Sequence, residues 1–124
     1  MQYDIKNMWF DSVRLDRTAE EIEGDSQYEL TVTCAMDYNA TDKQSVRFVM
    51  EFSLHSSSKF RLSGVHYTII EFKEQLTEDE AEEEMVKINA PSLLYPYIRA
   101  FSSNILSSSG FACEHLPLVF FEKE

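Results

Sequence analysis

Three histidines, two cysteines and a run of carboxylates are the side chains of this 124-residue sequence that could do acid–base or metal chemistry. His55, His66 and His115 belong to no recognisable motif. Cys113-Glu114-His115 offers two metal ligands, but a Cys-x-His pair without a companion pair falls short of a zinc site. The carboxylates from Glu78 to Glu84 crowd a short segment and repel one another. That suits a solvated face or a basic partner better than a general acid, which needs a shifted pKa. The three glycines, at 24, 64 and 110, lie too far apart for a phosphate-cradling loop. The chemistry-bearing residues therefore predict a protein that is not an enzyme and has no catalytic residues, metal or cofactor.

Composition narrows the partners. A net charge of −11 repels phosphate backbones, which excludes nucleic acid as an expected partner and favours solubility and basic partners. With 44% hydrophobic and 13% aromatic residues, the chain can bury one core, so residues 1–124 read as a single domain. Cys34 falls on the apolar face of a strand, where a thiol packs as a small hydrophobe, and no disulfide with Cys113 is expected. Met1 to Lys6 leads into no long apolar core, and nowhere do eighteen apolar residues run together. A cytoplasmic location without membrane insertion is expected.

The elements that must position any functional side chain announce themselves by period. From Tyr28 to Tyr38 every even position is apolar and most odd ones are polar, the pattern of a half-buried strand. After the polar loop Asn39 to Gln44, the same pattern returns in Val46, Phe48, Met50, Phe52 and Leu54, an antiparallel partner. The next apolar series, Phe60, Leu62, Val65, Tyr67 and Ile69, slips by one around Gly64, which predicts a bulge there. A similar slip within Ile5 to Asp16 marks a first strand with an irregularity, followed by a loop from Thr18 to Ser26.

Beyond Glu74 the period changes. Thr77-Glu78-Asp79-Glu80 has the form of a capping box and opens a short helix to about Lys87. Asn89-Ala90-Pro91 offers a second start, followed by the stripe Leu94, Ile98, Phe101 and Ile105 along a long helix that Gly110 ends. Pro96 either kinks this helix or begins it, with residues 91–95 then forming an irregular turn. Strands followed by helices give an α+β class: a four-stranded antiparallel sheet with a short helix and a long C-terminal helix.

The segment Pro91-Ser92-Leu93-Leu94-Tyr95-Pro96-Tyr97-Ile98-Arg99 resembles the helix signature of the SecB family of export chaperones. Downstream, Gly110-Phe111 and then Leu116, Val119 and Phe121 fall where that family places Gly-Phe and a Leu-x-Pro-Val-Asn-Phe tail. Tyr28-Glu29-Leu30 and Phe48 to Phe52 resemble its second and third strands, so the likeness spans roughly residues 27 to 121. Departures are Leu118 for the tail proline, Phe120 for the asparagine and Ala100 for the glutamate after the helix arginine. The family's final helix beyond the tail, which helps cover the client groove and contacts the SecA motor, has no counterpart in these 124 residues.

The resemblance implies a SecB-like fold, association into homodimers or homotetramers, and binding of unfolded polypeptides in apolar grooves without nucleotide or metal. The stripe Leu94, Ile98, Phe101 and Ile105 is read as core or oligomer interface rather than a client site. Client contacts are assigned to aromatics beyond what one sheet face needs, Trp9, Phe10 and Tyr95, for which ordinary packing is the competing reading. Val49 and Glu51 correspond to the family surface that meets the translocase motor, and a solvated strand face accounts for them equally. Arg99 either pairs across a subunit interface or is solvated. A dedicated interaction protein of the same fold, with one folded partner, is the alternative function.

Overall fold

The protein is described from a computed structural model, which covers residues 2–17, 28–56 and 59–111. The alternating segments form four strands, β1 (Tyr3–Arg17), β2 (Tyr28–Tyr38), β3 (Ser45–Ser56) and β4 (Phe60–Phe72), followed by helices α1 (Glu78–Lys87) and α2 (Ala90–Ser108). All pairings are antiparallel and the sheet order is β1-β4-β3-β2. Consecutive strands β2, β3 and β4 form a meander, whereas β1 returns to β4 with Tyr3 opposite Phe72. Among the described residues, β1 and β2 are therefore the edges.

Between β2 and β3 the turn is held by its own polar side chains. Asn39 Oδ1 accepts from the Thr41 N–H at 2.9 Å, and the Asp42 carboxylate accepts from the Gln44 and Ser45 N–H groups at 2.9 and 3.0 Å. These backbone donors hold the Asp42 carboxyl below its usual range.

One face of the sheet carries the core. Phe48, Met50, Phe52 and Leu54 of β3 and Leu62, Ile70 and Phe72 of β4 are buried there, beneath Leu94, Ile98 and Leu106 of α2. Each such side chain contributes about 1.5–3 kcal/mol by leaving water. On α1 the capping box is complete: the Glu80 N–H donates to Thr77 Oγ1 at 3.2 Å, and the Thr77 N–H to Glu80 Oε1 at 3.1 Å. Two residues, Ile88 and Asn89, join α1 to α2, and the left-handed backbone of Asn89 (φ 50) makes the turn.

One open alternative closes and two expectations change. Helix α2 runs continuously through Pro96, so that proline does not begin it. No register shift occurs between β4 and β3, so there is no bulge at Gly64. Gly64, His66 and Thr68 continue the helix-side row of β4, and Val65, Tyr67 and Ile69 instead make an apolar row on the outer face. The apparent slip is a change in which face is the more apolar. Gly64 is required by space, since a Cβ there would lie 2.9 Å from the Phe52 ring. The bulge lies opposite, in β1, whose register shifts between Ile5 and Asn7 and again between Asp11 and Arg14, with Ser12 at φ 53.

Cys34, expected to pack in the core, lies on the helix-side face but is exposed, because burial falls off toward the β2 edge. The loop from Thr18 to Ser26 and the tail from Leu116 to Phe121, with Cys113 and His115, lie outside the described residues.

Candidate functional site

Among the described residues, those with catalytic chemistry are not brought together. His66 is buried on the helix side of β4, while His55 is half-exposed on the outer face of β3. Among the described residues no group of three His, Cys, Asp or Glu side chains could hold a metal ion. In the acidic helix, Glu80 is engaged as a cap and Glu84 is buried, with an oxygen 3.3 Å from Lys87 Nζ.

The aromatics singled out for client contact separate. Trp9 and Phe10 are consecutive in a strand, so they point to opposite faces. Trp9 lies on the outer face, stacked on Tyr67 with ring centroids 5.1 Å apart and planes 17° from parallel. Phe10 lies under α2, stacked on Phe101 at 3.8 Å and set edge-on to Phe52 at 6.1 Å. Tyr95 is buried on α2, and desolvation pushes its phenol up, with Arg99 nearby opposing the shift.

Leu94 and Ile98 sit in the protomer's own core, and Phe101 and Ile105 pack against it. Leu93 and Tyr97 of α2 are 37% and 48% exposed.

The outer face is crossed by a row of linked side chains. Arg47 of β3 donates from Nε and Nη2 to Asp37 Oδ2 of β2, at 3.0 and 2.8 Å, and its guanidinium stands 5.2 Å over the Tyr67 ring. Val49 is half-buried opposite Tyr67, and Glu51 is exposed. Glu51 lines a shallow concavity of ≈ 290 Å³ whose other polar walls include Thr31, Thr33, Ser53 and Ser63. A carboxylate ringed by hydroxyls suits a basic side chain of a partner.

A further surface was not singled out from the sequence. On the helix-side face of β2, Leu30, Val32 and Met36 are only half-buried and Cys34 is exposed. The ring contacts of α2 reach β1 and β4, through Phe10–Phe101 and His66–Tyr97. At the β2 edge, the Tyr38 hydroxyl donates to the Leu76 carbonyl at the start of the helical region. Alternation does mark these residues as one face, but it does not say that the face runs out past the helices. Partial desolvation pushes the Cys34 thiol up.

Comparison with solved structures agrees with this architecture. A Mycobacterium tuberculosis SecB-like chaperone, Rv1957, solved in complex with a ChAD peptide from the Rv1956 HigA1 antitoxin, superposes with a TM-score of 0.75 at 13% identity, over 95% of this chain and 90% of that one. A Streptococcus agalactiae protein of unknown function superposes with a TM-score of 0.62 at 17% identity, over 97% and 98%. No curated protein sequence matches. The family model of SecB, the preprotein translocase subunit, matches residues 10–123, and the chain therefore belongs to the SecB family, whose role in general is that of a chaperone.

Proposed function

We propose that this protein is a holdase that captures unfolded polypeptide segments along β2, without nucleotide, metal or catalysis. One observation carries the reading: β2 is an edge strand paired through eleven successive residues with no irregularity, and its helix-side row of Leu30, Val32 and Met36 is half-open. An extended client adds its backbone to such an edge and lays alternate apolar side chains on the row. Each Å² of apolar surface covered contributes roughly 25 cal/mol. The peptide bound by the Mycobacterium tuberculosis neighbour supports peptide capture by this fold. Trp9, stacked on Tyr67 on the outer face, and Phe10 and Tyr95, packed with α2, serve capture by holding the fold around β2.

Preprotein delivery is the finer form of the proposal. Val49 and Glu51 then meet a translocase motor through a segment bearing a basic side chain, and the protein works in the cytoplasm as a homodimer or homotetramer. Leu93, beside the stripe of Leu94, Ile98, Phe101 and Ile105, is an exposed apolar side chain that α2 has left for contact between protomers. A second reading is a dedicated partner: the antitoxin peptide in the neighbouring structure favours one particular client over many preproteins.

Light scattering of the protein alone and with several unrelated reduced, unfolded proteins tests these readings. A holdase gains the mass of each client. A dedicated interaction protein keeps its own mass with all of them and gains mass only with its one partner.

A further inference from the structure

His66 is an unusual member of the helix-side row of β4. It is wholly buried, with 0% exposure. Its Nδ1 is 3.5 Å from Thr68 Oγ1, the limit of a hydrogen bond, and its Nε2 has no hydrogen-bond partner among the described residues. A neutral imidazole has one donor and one acceptor, whereas the cation has two donors. Protonation would leave a buried N–H with no acceptor and place a charge among apolar groups.

The ring sits in the contact that fastens α2 to the sheet. Phe10 of β1 lies against it, with centroids 4.7 Å apart, and in turn stacks on Phe101 of α2. The Tyr97 ring of α2 lies 6.5 Å from it and 5° from parallel. The strand β3 presents Met50 as its cross-strand partner. The ionisable groups beside it in the strands, Asp11, Glu51 and Tyr67, belong to the outer face, and Tyr97 is the titratable side chain of α2 whose ring lies near it. Burial lowers the imidazole pKa, with no charged side chain contributing.

We propose that His66 is an acid-sensitive latch: when the imidazole takes a proton from solvent, the Tyr97–His66–Phe10–Phe101 contact loosens and α2 lifts, uncovering the apolar helix-side face of β1 and β4. The sign follows from linkage. The unfolded chain binds this proton more readily than the folded one, so the stability of the latched state is full above about pH 6.5 and falls as pH drops below it. The latch lies within the protomer and does not depend on the identity of any client.

Hydrogen exchange of the full chain at about pH 7.5 and about pH 5.5, corrected for intrinsic exchange rates, tests it together with bis-ANS fluorescence. Amides of residues 90–108 are expected to lose protection about tenfold at the lower pH while β3 and β4 keep theirs, and dye fluorescence to rise about threefold. His66→Gln should flatten both responses, and His55→Gln on the outer face should leave them unchanged. Unchanged α2 protection, a uniform loss over the whole chain, or a response that follows His55 would overturn the proposal. If His66→Gln does not fold, NMR titration of the wild-type His66 ring decides. A midpoint coincident with the loss of α2 protection supports the latch, and a separate midpoint refutes it.

Discussion

The sheet has two edges, and they are built differently. Strand β1 changes register twice against β4 and holds Ser12 in a left-handed conformation at the second shift. Strand β2 matches β3 residue for residue from Tyr28 to Tyr38. Bulges twist an edge and spoil its backbone row as a template, whereas a regular edge invites another strand. The side chains follow the same division. On β1 the rings of Trp9 and Phe10 are spent on Tyr67, Phe52 and Phe101, whereas the apolar row of β2 is left half-open. The two edges thus differ in regularity and in cover: β1 closes the fold, and β2 is the edge on which the proposed capture rests.

Substitutions on each edge can break that comparison. The largest effect is expected from Phe10→Ala, which empties the space between Phe52, His66 and Phe101. It should cost about 3 kcal/mol in denaturant unfolding, while any capture by the folded fraction persists. A loss of capture equal to the loss of fold would show that β1 also serves clients. Next comes Gly64→Ala, whose Cβ would meet the Phe52 ring at 2.9 Å. About 2 kcal/mol of destabilisation is expected, with part of it recovered by a smaller side chain at Phe52, as a double-mutant cycle would show.

The smallest energy but the sharpest contrast comes from placing a lysine on each edge. Val32→Lys puts a charge on the receiving row and should weaken binding of an unfolded client about tenfold, or about 1.4 kcal/mol, by fluorescence anisotropy. Val13→Lys, at a position on β1 already 39% exposed, should leave that affinity unchanged. Equal effects of the two would remove the distinction between the edges.

Much of this frame was legible in the residues. The strict alternation of Tyr28 to Tyr38 and Val46 to Leu54 admits one local structure, and the Thr77–Glu80 box marks its helix start to the residue. The β4 reading failed because a period of two identifies two faces without saying which is covered. There the covered face holds Gly64, His66 and Thr68, and the outer one holds Val65, Tyr67 and Ile69. Cys34 was placed on the correct face and still misjudged, since exposure depends on where α2 lies and not on the strand. For the site, adjacency in β1 already required Trp9 and Phe10 to diverge. Nothing local, however, indicates that β1 pairs with β4, which is what leaves β2 at an edge.

The return of β1 to β4 has a consequence for how the chain is made. Synthesis delivers the N-terminal strand first, yet the residue that pairs with Tyr3 is Phe72. At about 5–20 residues per second, β1 waits on the order of 3–14 s at the ribosome for its partner to be polymerised. Through that interval Met8, Trp9 and Phe10 have no strand to rest on. A protein proposed to shelter unfinished chains is, during its own translation, one of them.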